Sequence, residues 1–450
     1  MRVQKLMGDP ARGDFWDERI ERMGRDELSA LQLERLKRQV RRCYEGSAFY
    51  RERLDAAGVG PDGIRSLGDI EKISPVTKEE LREEQKAHPP FGRYTVAPPE
   101  SWGELHPSTG TTGVPVGTIW SRKDVETIAD FTARTMWSFG VRPEDIVQNA
   151  FSYGLWVAGM SVHYATQKIG CFVIPIGATQ TERQIFYMRT MDSTVILSTP
   201  SFGLYIGEKL RESGVDPGEQ NLRIGAFGGE AGAQNPATRS RIEGALGVDA
   251  YDYYGLGEIG PTFASESVAK SGLIWAEDHH LIEVLDPETR RPVAEGEVGI
   301  LVITHLTREA TPMLRYWTND YACLESAPSS CGRTHRRSPG GILGRHDDLI
   351  IYRGAKFYPV QVEDVVRSFP ELSNEFRIEL RSGEDTGRDR CVVIAEAAGE
   401  GTSDGLEAVL REKLRGELQV TPEIEILSPG SFERTTFKAQ RFIDARNSEK

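Results

Sequence analysis

Ser108-Thr109-Gly110-Thr111-Thr112-Gly113-Val114-Pro115 is the stretch on which the reading of this chain turns. Its two glycines open backbone conformations closed to other residues, so that successive N–H groups can point at one anion. Ser108, Thr109, Thr111 and Thr112 add hydroxyl donors to the same short span. No aliphatic side chain interrupts the run from Ser108 to Gly113, and Pro115 closes it ahead of the apolar run Val116 to Trp120. The span reads as a loop for holding phosphate oxygens. It lacks the G-x-x-x-x-G-K-[ST] pattern and contains no lysine. Gly, Ser and Thr also dominate ordinary turns, so the rest of the chain has to decide.

At 450 residues the chain exceeds what one hydrophobic core usually spans, and two or more domains are expected. A formal charge of −13 leaves no basic excess to neutralise phosphates, which argues against nucleic acid as the main partner. An anionic nucleotide or carboxylate then needs locally placed donors or a metal ion. No apolar stretch approaches the ~20 residues that span a bilayer. Met1 to Ile20 is charged throughout and lacks an apolar signal core, so no membrane partner and a cytoplasmic location are expected. Cys43, Cys171, Cys323, Cys331 and Cys391 are scattered without a C-x-x-C, so no disulfide framework or four-thiolate zinc site is indicated.

Outward from the loop, the pattern is helical from Phe15 to Leu54, with Leu31, Leu33, Leu36, Val40 and Cys43 at near-helical spacing. Thr77-Lys78-Glu79-Glu80 predicts a helix start with Thr77 as cap and Glu80 as its capping-box partner. Lys123 to Phe139 predicts another helix. Short apolar runs then alternate with helical patterns: Cys171 to Pro175, Thr194 to Leu197, Arg223 to Phe227 and Gly299 to Thr304. Such alternation predicts α/β layering with buried strands. A second glycine cluster, Phe227-Gly228-Gly229-Glu230, follows one strand, and Tyr251-Asp252-Tyr253-Tyr254-Gly255-Leu256-Gly257-Glu258 lies beyond it. Glycines beside an aromatic and an acid let backbone pass close to a flat ligand. A carboxylate such as Glu258 near a phosphate loop is what Mg²⁺ requires. Ser338-Pro339-Gly340-Gly341 marks a domain boundary, after which strands and helices suffice for an α+β unit of about a hundred residues.

Taken in order, these motifs resemble the adenylate-forming superfamily of acyl-CoA synthetases, adenylation domains and luciferases, and more narrowly the phenylacetate–CoA ligase family. The resemblance runs from Glu34 to Tyr44 and Phe49-Tyr50-Arg51, through Ser108 to Gly113, Gly154-Leu155, Gln184, Gly228 to Glu230, Tyr254 to Glu258, Asp320 and Gly344 to Asp348, to Lys438-Ala439-Gln440-Arg441. It implies an α/β protein whose large domain, residues 1–343, binds ATP and an acid, with a small mobile α+β domain, residues 344–450. It implies an acyl-adenylate formed from acid and ATP, then attack by coenzyme A with release of AMP.

By motif position, Ser108, Thr109, Gly110, Thr111, Thr112 and Gly113 would cradle phosphates, with Thr111 at the reacting centre, and Glu258 would hold Mg²⁺. Asp252 and Tyr254 would border adenine, with Gly229, Glu230, Tyr253 and Gly255 in the same nucleotide site. Asp320 and Arg345 would bind the ribose hydroxyls, and Asp347 would be the hinge. Lys438 would bridge the acid carboxylate and the α-phosphate, a task suited to a compact mobile cation. Tyr153, Leu155, Trp156, Phe227, Gly228, Gly229 and Tyr254 would frame a pocket for an aromatic or arylacetic acid.

Two departures stand out. Several relatives of this kind carry a structural zinc held by three cysteines and a histidine, where this chain has Ser267, Ser329 and only Cys331 in matching places; no structural zinc is expected. The run ahead of Lys438, Phe432 to Phe437, lacks the usual glycine. Three functions stay open from sequence: an aryl acid–CoA ligase, an adenylating enzyme that serves a carrier protein or another nucleophile, and a non-catalytic nucleotide-binding module. The resemblance also implies a homodimer, to which the amphipathic N-terminal helix could contribute unless that face packs on its own domain.

Overall fold

The computed structural model describes residues 13–108, 115–382, 389–400, 405–434 and 441–446. Its central element is an eight-stranded sheet in the spatial order Arg337–Ser338, Leu273–Trp275, Gly260–Ser265, Asp249–Leu256, Ile224–Phe227, Val195–Ser198, Ile146–Asn149 and Phe172–Ile174. The last five pair in parallel, with Asn149 opposite Leu197, Ser198 opposite Phe227 and Phe227 opposite Asp252. The central pair, Val195–Ser198 and Ile224–Phe227, are buried throughout because helices cover both faces, which is why they read as short continuous apolar runs. Helices Arg122–Ser138 and Val157–Ile169 form one face with Phe139, Val147 and Tyr251. Helices Pro200–Glu212 and Pro236–Leu246 form the other with Ile196, Phe227 and Ala250.

Gly299–His305, expected from its apolar run as another buried strand, belongs to a separate four-stranded antiparallel sheet with His280–Leu285, Tyr316–Ala322 and Gly344–Arg345. The helical pattern from Phe15 to Leu54 resolves into Glu18–Glu21, Arg25–Gly46 and Ala48–Ala56. The breaks fall where Gly24 and Ser47 take extended conformations as N-caps, Ser47 Oγ accepting from Tyr50 N. Helix Arg25–Gly46 buries Leu28, Leu36, Val40 and Cys43 in the core of its own domain. Gln32 and Gln39, buried on the same face, donate to the carbonyls of Glu277 and Arg308. The capping box at Thr77 and Glu80 is present, and helix Arg122–Ser138 has a second one from Ser121 and Asp124.

A distinct core begins at Ile350. The sheet Glu423–Leu427, Arg390–Ala397, Leu372–Arg381 and Phe442–Asp444 is covered by helices Pro359–Arg367 and Leu406–Leu418. The latter buries Leu406, Leu410, Leu414 and Leu418 at four-residue spacing, each contributing about 2 kcal/mol of burial. Gly344–Arg345 still pairs with Tyr321 and Asp320 of the large domain, so the two units meet between Arg345 and Ile350. Among the described residues no helix is long and apolar enough to cross a membrane.

Candidate active site

The stretches singled out by their chemistry leave the carboxyl ends of neighbouring parallel strands. Phe151 to Trp156 follows Ile146–Asn149, Gly228 to Glu230 follows Ile224–Phe227, and Gly257-Glu258 follows Asp249–Leu256. In an open α/β sheet the crevice at those ends is where a ligand can reach several loops at once.

The described residues on either side of the phosphate-loop candidate pair as two antiparallel strands. Trp102–Pro107 pairs with Gly117–Ser121, and Pro107 lies opposite Gly117. Ser108 closes the neck: its N–H donates to the Val116 carbonyl at 2.8 Å, and its buried Oγ accepts from Val116 N at 3.1 Å. Gln85 braces the same strand, donating to the Pro115 carbonyl and accepting from Gly117 N. Thr109, Gly110, Thr111, Thr112 and Gly113 lie outside the described residues, as does Lys438.

Glu258 is brought to that neck by Gly257, where a Cβ would stand 3.5 Å from Ser108 Cα. The Glu258 side chain is only 5% exposed, and Lys78 Nζ stands 3.0 Å from its Oε1. That oxygen is buried and accepts no aligned hydrogen bond. The pKa of the Tyr316 hydroxyl is pushed well up, by burial first and then by the charge of nearby Glu258. A buried carboxylate with spare acceptor capacity beside a phosphate-loop neck fits a hard cation such as Mg²⁺. Lys78 was legible only as part of a helix start. A basic residue in a first turn opposes the helix dipole, and that conflict is the signal that could have drawn attention to it.

Asp320, Tyr254 and Arg345 converge. Tyr254 hydroxyl donates to Asp320 Oδ2, and Arg345 Nη1 donates to Oδ1 at 3.1 Å. Arg345 also grips Asp347 through two hydrogen bonds, at 3.0 and 2.9 Å. Burial alone would lower the Arg345 pKa, but Asp320, Asp347 and Asp348 outweigh it and hold the guanidinium firmly charged. Asp252 is buried, and its carboxyl is pushed well above the usual range by burial and by nearby Glu266. Glu266 in turn accepts from Asp252 N at 2.8 Å and from Arg239 at 2.8 and 2.9 Å. The carboxylate of Glu230 accepts from Ser201 N at the start of helix Pro200–Glu212.

The aromatic candidates divide. Trp156 is half-buried and faces Gly229, whose added Cβ would meet the indole at 3.1 Å; Gly229 itself has φ +90°. Tyr153 is half-buried and accepts from Asn149 Nδ2 at 2.8 Å, and Leu155 is 62% exposed. Phe227, expected to line the acid pocket, instead turns its ring into the core against Gly203 and Gly225, because its strand places odd positions on the Pro200–Glu212 face. Tyr253 likewise packs its ring in the opposite core layer, against Gly228. Gly255 is required by packing, since a Cβ there would lie 2.0 Å from the Pro261 carbonyl oxygen. Gln184 is buried and donates to the Gly177 carbonyl, so it supports the loop beside Tyr153. His106, which the sequence reading passed over, joins Glu104 to the Leu155 carbonyl.

Ser267, Ser329 and Cys331 do meet. The Cys331 thiol lies 3.3 Å from Ser267 Oγ, 3.2 Å from Ser329 Oγ and 3.5 Å from Arg333 Nη1. Burial would raise its pKa, but these donors outweigh it and lower it. One sulfur among hydroxyls and a guanidinium does not fit tetrahedral zinc. Among the described residues no three His, Cys, Asp or Glu side chains converge as a metal-holding group. On the small domain, Arg377 and Arg381 are both engaged by carboxylates, Glu379 for each and Glu425 for Arg381.

A strand-end crevice, a hairpin neck closed by Ser108 beside a buried carboxylate, and a second small domain fit a nucleotide-using enzyme of the adenylate-forming class. The chain belongs to the AMP-binding enzyme family: the family's sequence model matches residues 65–317, and that of the AMP-binding enzyme C-terminal domain matches 354–446. It is 38% identical to a phenylacetate-coenzyme A ligase of Aromatoleum evansii over 98% of this chain and 99% of that one. It is also 38% identical to the phenylacetate-coenzyme A ligase of Thermus thermophilus, over 95% and 98%. Among solved structures it resembles 2-hydroxyisobutyryl-CoA ligase in the postadenylation state, with TM-score 0.92, 30% identity and coverage of 100% and 96%. Against the thioesterification state of that protein the TM-score is 0.74, with coverage of 99% and 96%.

Proposed function

We propose that this chain is an acid–thiol ligase that activates an aromatic or arylacetic acid with ATP and passes the acyl group to coenzyme A, releasing AMP and pyrophosphate. The observation that carries the reading is the approach of Gly257-Glu258 to the Ser108–Val116 neck, with Asp320, Tyr254 and Arg345 on the same crevice. Full-length relatives named phenylacetate-coenzyme A ligase support the substrate class.

In this reading the neck of the hairpin orients the phosphates, Asp320 accepts from the ribose hydroxyls, and Asp252 meets the base edge. Trp156, packed on Gly229, would form one wall of the acid pocket. Magnesium held at Glu258 would offset charge where a carboxylate approaches the α-phosphate. Lys438 would add a mobile cation at the same place. A division close to the Asp347 hinge and a homodimeric, cytoplasmic enzyme belong to the same proposal.

The test is acid-dependent pyrophosphate release from ATP·Mg²⁺ across a panel of aryl acids, with and without coenzyme A, alongside Lys438→Ala. Release with one acid, abolished in the variant and yielding AMP and a thioester only with coenzyme A, supports the ligase. A retained adenylate in the presence of coenzyme A moves the acceptor to a carrier protein or another nucleophile. No release with any acid leaves nucleotide binding alone.

A further inference from the structure

Helix Pro359–Arg367 of the small domain packs against helix Pro236–Leu246 of the large one. The last carbonyls of a helix have no partner within it and carry the negative end of its dipole. Arg241 of the large domain reaches across to that end. Its Nε donates to the Arg367 carbonyl at 2.6 Å, Nη2 to the Phe369 carbonyl at 2.5 Å, and Nη1 to the carbonyls of Leu372 and Ser373 at 3.1 Å and to Asn374 Oδ1 at 3.0 Å. All three guanidinium nitrogens are thus spent on amide oxygens of the other domain. Three residues earlier on the same helix, Thr238 Oγ1 accepts from Arg367 Nη1 at 2.9 Å.

A second contact lies on helix Pro200–Glu212. Glu208 accepts from Asn374 Nδ2 at 3.0 Å and pairs with Arg434 Nε at 3.2 Å. Arg434 precedes Lys438 by four residues in the sequence, so this pair holds the small domain close to where its lysine segment begins.

The chemistry of the Arg241 contact suits opening as well as closing. Water can replace the guanidinium at each of these neutral oxygens when the domains part, and each acceptor here lies on the body that would rotate. Arg367, buried in the same interface, leaves Nε and Nη2 without hydrogen bonds. A permanently closed interface would be expected to satisfy such donors.

The geometry points to Arg241 as a positioning residue for the first half-reaction. It latches the small domain in the arrangement shared with the postadenylation relative and must release before coenzyme A attacks. Glu208 is its auxiliary. This rests on the proposed two-step reaction.

The test separates the half-reactions in the full chain. Arg241→Ala and Glu208→Ala are assayed for acid-dependent ATP–pyrophosphate exchange. Thioester formation is measured separately from synthetic phenylacetyl-adenylate and coenzyme A, and small-angle scattering of the free enzymes reads the domain arrangement. For Arg241→Ala exchange falls about tenfold or more, while the thioester step is unchanged or faster, because only the closed population is lost. Glu208→Ala gives the same pattern in smaller measure. Arg241→Lys recovers little, since a single ammonium cannot reach five acceptors in a planar array. A parallel fall of both half-reactions, or no change in exchange, overturns the latch. If the wild type exchanges with no acid, the functional reading fails by itself. Scattering then decides the latch alone: a shifted variant profile upholds it and identical profiles overturn it.

Discussion

Lys78 Nζ stands 3.0 Å from Glu258 Oε1, a cation from the first turn of helix Lys78–Ala87 placed on the carboxylate proposed to hold magnesium. With the Glu258 side chain 5% and the Lys78 side chain 35% exposed, the pair is buried at one end and open at the other. The lysine therefore offsets the desolvated charge of Glu258 when no other cation is near.

Removing the carboxylate charge should be the more damaging change. Glu258→Gln is expected to lower pyrophosphate exchange by about two orders of magnitude and to raise the magnesium concentration needed for half-maximal rate. Lys78→Met should leave the carboxylate uncompensated, lowering the unfolding midpoint of the free enzyme, with added Mg·ATP restoring more stability than it gives the wild type. An unaltered magnesium dependence in Glu258→Gln would remove this residue from the metal site.

Asp320 holds two partners at once, Tyr254 through Oδ2 and Arg345 through Oδ1. Asp320→Ala is expected to raise KM for ATP by roughly 10–100-fold, the size of a lost hydrogen bond to a charged group. Tyr254→Phe removes one orienting bond and should cost about fivefold. The rise of the wild-type KM when 2′,3′-dideoxy-ATP replaces ATP in the assay separates ribose recognition from general damage: the Asp320 effect should vanish with the analogue, and an undiminished effect would count against it.

How much of this was readable beforehand follows from locality. The glycines after the strand ending at Phe227 and the Thr77 capping box depend on residues near one another in sequence, and turn and cap chemistry announces them. The breaks at Gly24 and Ser47 were hidden because apolar periodicity carries on across a change of axis. The sheet assignment of Gly299–His305 was hidden because a short apolar run says buried without saying beside what. The Lys78–Glu258 pair and the Arg241 contacts join distant parts of the chain, and no local pattern encodes them. Phe227 was misjudged because adjacency to a glycine cluster does not fix which face of a strand a ring takes.

Gly229 tests the acid slot. Its φ of +90° is costly for any side chain, and an added Cβ would press on the Trp156 indole at 3.1 Å. Gly229→Ala should raise KM for the acid by about tenfold with little change in KM for ATP, a 1–2 kcal/mol effect. Combining it with Trp156→Phe, which leaves more room, should recover part of the loss. Equal changes in both KM values would mean general distortion of the strand end instead of a narrowed slot.

The last prediction concerns acid stability. His279 and His280 lie beneath Phe131 and Phe263, and burial is the main cause that lowers their pKa values to about 4 and about 3, with Asp278 opposing the shift. His305, in ring contact with His280, is lowered well below its usual value by burial. These imidazoles stay neutral in the folded protein at pH values where the unfolded chain, titrating near 6.5, already binds protons. Stability is then fully present above about pH 6.5 and declines as pH falls toward the folded values, each histidine contributing up to about 1.4 kcal/mol per pH unit. Below about pH 4 the paired carboxylates Glu277, held down to about 2 by Arg336 and Arg25 against burial, and Asp278, held lower by Arg134, lose their own share. Urea unfolding at pH 7.5, 6.5, 5.5 and 4.5 should show this decline. His280→Asn, which keeps a donor for the Ala276 carbonyl, should lower stability at pH 7.5 through lost ring packing yet flatten the slope between 6.5 and 4.5 by about a third, one of three titrating groups being gone. A slope as steep as in the wild type would show that His280 is already protonated in the fold.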